Sequence, residues 1–228
     1  VAGNDYVGTL FEISLDGSDM RQVTFDQEND WYPWVKENGR VMYHRWEYTD
    51  NSHYFTRILL EMNPDGTNNR SIYGSNSYWP NTLFYAKQIP GATSKFSAIA
   101  SGHHGVDRAG ELVLFDQSKG DFEEQGAIQR IPGRGKKVKS EIIDMYMNAK
   151  WPRFLHPFPL SENFFLVSGQ IQPTDNWGLY IVDTFDNMIK LADSDKQLFE
   201  PVPVAARKRP PVIPERRNPD AKDATMYI

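Results

Sequence analysis

RILLEMNPDGTNNRSIY, residues 57–73, decides the fold. An apolar run ends at Asp65-Gly66, a polar pair follows, and a second β-type run closes the stretch. Asp-Gly between two such runs signals a hairpin, because its central turn positions need positive φ. VGTLFEISLDGSDMRQVT, residues 7–24, repeats the pattern around Asp16-Gly17. Looser copies end ELVLFDQSKG at Gly120 and fill GLYIVDTFDN, residues 178–187. Repeats of this kind mark repeat architectures before any residue-level reading.

A second element recurs between these hairpins. DWYPW, SYWPN and KWPRF place Trp or Tyr before Pro33, Pro80 and Pro152, and each is expected to precede a strand pair. The unit reads aromatic-Pro, strand A, turn, strand B, loop, strand C, Asp-type turn, strand D. Four antiparallel strands in about 40–50 residues match a β-propeller blade, whereas a β-sandwich would also give short, evenly spaced strands. The fixed phase of the aromatic-Pro pairs favours the propeller. The fold class is all-β, with a half blade at 8–25 and blades near 31–73, 79–131 and 151–192. Propellers close with about four to eight blades, so three and a half blades point to a larger propeller. Blades occupy 1–199, and the Pro-rich basic stretch 200–228 reads as an extended connector ending in the start of a strand, ATMYI. One helix is expected, over SEIIDMYMNAK, residues 140–150, with Ser140 as N-cap and Ile142, Ile143, Tyr146 and Met147 on one face.

Composition narrows the chemistry. A net charge of -5 over 228 residues argues against a dedicated nucleic-acid binder. The absence of cysteine removes thiolate catalysis, Cys-ligated zinc and c-type haem attachment, so no cofactor is expected in this chain. No apolar run approaches the roughly 18–20 residues of a membrane helix. With Val1 first and no positive-then-apolar leader, any targeting segment is expected to be absent or removed.

Several strings together carry a resemblance. LFEISLDGSDMRQVTF followed by WYPWVKENGRVMYHR is similar to TolB-type propeller repeats. HYFTRILLEMNPDGTNNRSIYGSNSYWPN, SGHHGVDRAGELVLFD, WPRFLHPFPLSENFFLVS, WGLYIVDTFDNM and LFEPVPV resemble the propeller-forming middle domain of the hydrazine synthase alpha subunit and its relatives. The resemblance covers roughly residues 30–228. It implies a location outside the cytoplasm, in the periplasm or beyond the cell, and partners among other domains or subunits of a larger protein. The family's haem chemistry does not carry over to a chain without cysteine. The expected function is therefore a noncatalytic binding or assembly module. The alternatives are part of a metal- or haem-dependent oxidoreductase completed by other domains, and a glycan-binding propeller.

Blade order sorts the candidate site residues. In this unit the B–C and D–A connections leave on one rim, which gathers His53, His103, His104, Asp107, Arg108, Asp175, Asn176 and Trp177. In SGHHGVDRAGELVLFD, residues 101–116, the Gly-bounded pair His103 and His104 could turn toward one metal ion, bind a small ligand, or shape the loop. His156 in FLHPFPL falls on an inner strand A, within reach of a central channel. Trp177 stands outside the blade-packing phase of Trp31, Trp79 and Trp151, where it could stack on a sugar or meet a partner. GRGKKVK, 133–139, lacks the spacing of a phosphate loop and reads as a solvated basic loop. His44 reads as a structural histidine.

Overall fold

The computed structural model describes residues 6–46, 57–105, 108–218 and 220–223, so His53 and Asp107 lie outside the described residues. The described chain is all-β, in four antiparallel sheets, with one short 3₁₀ turn at Gln117–Lys119. A two-stranded sheet pairs β1 (Phe11–Glu12) with β2 (Arg21–Gln22). Three four-stranded sheets follow in simple meander order. The first comprises β3 (Asp30–Val35), β4 (Val41–Trp46), β5 (Arg57–Met62) and β6 (Arg70–Tyr73). The second comprises β7 (Thr82–Gln88), β8 (Lys95–Ser101), β9 (Glu111–Asp116) and β10 (Ala127–Ile131). The third comprises β11 (Arg153–Pro159), β12 (Phe164–Gln170), β13 (Gly178–Asp183) and β14 (Met188–Ala192). This is a propeller-like arrangement, with the sheets stacked face to face rather than closed into a ring.

Strand alternation explains the stacking. On β9, Val113 and Phe115 join Met42, Leu59, Tyr73 and Trp79 between the first and second four-stranded sheets. Their neighbours Leu112 and Leu114 face the other way, onto Phe154, Phe165, Val167 and Tyr180 of the third. Likewise Leu59 faces the second sheet, while Leu60 meets Leu10 and Val23 from the half blade. A strand apolar on both faces has to lie between two neighbours, and these do.

The Asp-type turns share one device. Asp16, Asp65, Asp116 and Asp183 each accept a backbone N–H from two residues ahead, at 2.9–3.0 Å. Such Asx turns let the aspartate itself set the chain reversal. Gly17 and Gly66 supply the positive φ beside the first two.

Two expectations need correction. Residues 140–150 form successive turns rather than a helix. Ser140 Oγ is taken by Glu124, and the amides of Asn148 and Lys150 bond only three residues back. Arg153 donates to the carbonyls of Met147 and Lys150, which a continuing helix would have used. Tyr146 and Met147 are buried while Ile142 and Ile143 stay exposed, so the four do not share a face. The second correction concerns Tyr32-Pro33. Trp79-Pro80 and Trp151-Pro152 precede their strands through cis bonds, but Tyr32-Pro33 lies inside β3. Its structural counterparts are Tyr85-Ala86 and His156-Pro157.

Candidate functional site

Those counterparts are three copies of one irregularity. In β3, Trp31 pairs with His44 and Trp34 with Met42, so one extra residue is inserted. Phe84 to Lys87 in β7 and Leu155 to Phe158 in β11 show the same count against their partners. Each is a β-bulge on strand A. The bulged residues Tyr32, Tyr85 and His156 are left-handed, at φ 53°, 56° and 49°. A bulky side chain there costs about 1–3 kcal/mol, a strain found mostly at functional positions.

The residue after each bulge must dispose of a backbone N–H. Pro33 and Pro157 have none to dispose of. Ala86 does, and it donates to His44 Nε2 of the neighbouring sheet at 3.0 Å. His44 is fully buried, and burial pulls its pKa down to about 3, so it stays neutral and free to accept. The structural reading of His44 is correct, and its job is specific.

The three bulged rings form a continuous ladder across adjacent sheets. Tyr32 and Tyr85 lie 4.5 Å apart by ring centroid, and Tyr85 and His156 lie 4.2 Å apart. Arg108 donates from Nη1 to the Tyr32 hydroxyl at 3.1 Å and sits over the Trp31 and Phe84 rings. Burial, with the Tyr32 hydroxyl beside it, raises the Tyr85 pKa. His156 Nε2 is 3.4 Å from a Glu200 carboxylate oxygen, and its buried Nδ1 has no hydrogen-bond partner among the described residues. Burial lowers the His156 pKa, against the pull of Glu200.

Two residues further along each strand lies a second tier: Trp34, Lys87 and Phe158. Trp34 and Phe158 meet edge to face at 5.7 Å. The Lys87 ammonium lies 5.3 Å from the Trp34 centroid and 4.9 Å from that of Phe158. Burial pulls the Lys87 pKa down to about 8, with Glu200 opposing and Arg207 assisting.

The stretch after residue 197 crosses this face. Leu198 N–H bonds the Trp177 carbonyl, and Phe199 packs on both Trp177 and His156. Arg207 lies 4.4 Å over Trp34, Pro211 abuts Gly39, and Arg216 N–H reaches Asp65 at 2.7 Å. The stretch is extended and without regular structure, but it is laid along the inner strands rather than projecting away.

The residues singled out in the sequence therefore separate into two places. Arg108, His156 and Trp177 are linked through the ladder and Phe199. His103 and His104 are not part of it. Their rings touch each other at 4.3 Å, and His103 meets Trp46 edge-on. His104 Nδ1 pairs with Asp144 at 2.9 Å, and its amide bonds the Asp144 carbonyl. A Cβ at Gly102 would come within 2.2 Å of that carbonyl. The loop is thus the seat of the 140–150 segment. No group of three His, Asp or Glu able to hold a metal occurs among the described residues. In the 133–139 loop, the Gly133 and Arg134 amides both bond the Asp186 carboxylate, so the chain supplies its own anion there.

Sequence reading missed Tyr32, Tyr85, Lys87, Glu200 and Arg207. The available signal was the pair Tyr32-Pro33 and His156-Pro157, a ring followed by proline inside strand A.

Meander sheets with bulged inner strands define the class: an all-β, propeller-like chain. Among solved structures, it is similar to hydrazine synthase from Kuenenia stuttgartiensis, at a TM-score of 0.56 and 17% identity. The match covers 77% of this chain and 21% of that one, so the chain spans about a fifth of its length. At this identity the likeness shows the fold alone. No protein-family model and no curated protein matches the chain.

Proposed function

We propose that this chain is a noncatalytic binding and assembly module of propeller architecture, within a larger exported protein related to the hydrazine synthase alpha subunit. One observation carries the reading. The last sheet buries one apolar face and presents the other. Phe165, Val167, Tyr180 and Val182 pack inward, while Leu166, Ile181 and Ile189 form a cross-strand row outward. Phe164, Ile189 and Leu191 are each about half exposed, at 45%, 60% and 52%. Apolar surface of this kind marks an interaction face, and its natural cover is another sheet stacked as the existing ones are. The half blade offers a matching exposed set in Phe11, Ile13 and Leu15. Location outside the cytoplasm belongs to the same proposal and rests on the resemblance.

Sedimentation and dye binding test it. The chain alone should self-associate and bind a hydrophobic dye. Ile189→Lys with Leu191→Lys should abolish most of both without lowering the melting temperature. A monodisperse, dye-silent wild type, or a variant that associates as before, counts against the reading.

A further inference from the structure

The second inner tier has a charge imbalance that its own residues do not resolve. Lys87, Arg108 and Arg207 bring three cations to the inner strands, and Glu200 is the one acid recorded as acting on Lys87. Glu200 already faces His156 at 3.4 Å. Among the described residues, Lys87 makes no ion pair within reach, and its nearest company is two aromatic faces. Ring faces attract a cation but replace lost hydration only in part. The ammonium is left desolvated, walled by flat apolar surfaces, with a missing negative charge. A monoanion would supply that charge, and a planar apolar body would match the walls. A phosphate dianion would bring a second charge into ring-lined surroundings, at a desolvation cost.

We propose that the tier formed by Trp34, Lys87 and Phe158, with Arg207 at its edge, binds a small planar organic carboxylate. Lys87 provides the counter-charge, and Trp34 and Phe158 flank the body of the ligand. Arg207, carried on the extended stretch, closes over Trp34 and adds a second positive charge. The strained bulges hold the tier in place, since each sets the direction of the residue two positions on. This goes beyond the assembly reading and stands on different residues, so either can fail alone.

Calorimetric titration with benzoate, benzamide and inorganic phosphate tests the site, in wild type and in Lys87→Met. Benzoate should bind saturably to wild type. Neutral benzamide of the same shape should bind at least tenfold more weakly, and Lys87→Met should lose at least tenfold in benzoate affinity. With ¹³Cε-labelled lysine, saturating benzoate should move the Lys87 titration upward by at least one pH unit. Should Lys87→Met prove unstable, that titration in wild type decides alone. Equal binding of benzamide, tighter binding of phosphate, undiminished binding by a folded Lys87→Met, or an unmoved Lys87 titration would each overturn the proposal.

Discussion

The loop at residues 101–105 and the bulges at Tyr32, Tyr85 and His156 both interrupt regular strand geometry, and they do opposite things with the interruption. The loop spends its unusual residues on the chain itself. Gly102 makes room for the Asp144 carbonyl, and His104 holds the Asp144 carboxylate. The bulges turn three rings outward from the sheets into a shared ladder and leave a desolvated lysine beyond it. Adjacent histidines attract attention because of what imidazole can do. The bulges share no residue type at all, only a position in the pairing register. Chemistry-bearing residues that contact their own chain are scaffold, and recurrent strain without an internal partner is the better pointer to a site.

The comparison breaks most visibly at Gly102. Valine there would place Cβ 2.2 Å from a backbone oxygen and 2.6 Å from the Tyr146 amide. Neither neighbour is a flexible side-chain end, so the 140–150 segment has to move. Gly102→Val should cost about 3 kcal/mol, seen as a melting point lower by roughly 6–12 °C for a chain of this length. An unchanged melt would mean that the loop is not the seat of that segment.

His44 gives the next largest effect. His44→Ala strands the buried Ala86 N–H, which should cost about 2 kcal/mol in denaturant unfolding. Ala86→Pro removes that N–H, as Pro33 and Pro157 do in the sister bulges. It should restore part of the loss in the His44→Ala background, where space for the ring exists, but not in wild type. The pH dependence follows from the same contact. His44 titrates near 3 when folded and near 6.5 when unfolded. Below 6.5 the unfolded state takes up the proton, so the stability due to neutral His44 falls as pH falls. Wild type should lose its margin over His44→Ala by up to about 1.4 kcal/mol per pH unit below 6.5. Asp30, raised to about 6 by burial, pulls the other way between about 6 and 4, but in both proteins alike. Their difference therefore isolates His44. A margin constant from pH 7 to pH 5 would refute the contact's role.

Lys87→Met should produce a smaller change of opposite sign. Removing a desolvated ammonium raises stability where the wild-type lysine is charged, a common exchange at binding positions. A folded pKa of about 8 against 10.5 unfolded means the unfolded state binds more protons between those values. Wild-type stability should therefore rise relative to Lys87→Met as pH climbs from 8 toward 10, closing the gap between their melting temperatures. A gap that stays constant across that range would show that Lys87 is not desolvated.

How far the sequence carried is visible in these same residues. Asp16-Gly17 and Asp65-Gly66 announce their turns because Asx turns and positive φ are local demands, met by residue type. Each β-run likewise declared its sheet through apolar residues on alternate or both faces. The bulges were illegible for the reverse reason. Nothing in tyrosine or histidine favours left-handed backbone, and the conformation arises from pairing with β4, β8 and β12. The 140–150 stretch was misread because helical spacing of Ile142, Ile143, Tyr146 and Met147 is a weak signal when Glu124 and Arg153 claim the groups a helix needs. The path of residues 198–216 depends on contacts with Trp34, Gly39 and Asp65, more than a hundred residues away in sequence.

The smallest effect belongs to the residues that drew notice first. His104 is 67% exposed at its side chain, and its pair with Asp144 is a solvent-screened contact worth about 0.5 kcal/mol or less. His103 adds an edge contact with the Trp46 ring, so His103→Ala with His104→Ala should cost below about 1 kcal/mol in denaturant unfolding. The same double variant carries a second readout. If the histidines are scaffold, metal analysis after purification without chelators should give the same trace content in variant and wild type. Stoichiometric metal in wild type that disappears in the variant would reverse the assignment of the two regions. The scaffold here would then be the ladder, and the site would be the loop. The contacts of His104 favour the opposite outcome, because the ring nitrogen that faces Asp144 is already engaged by a carboxylate of the chain.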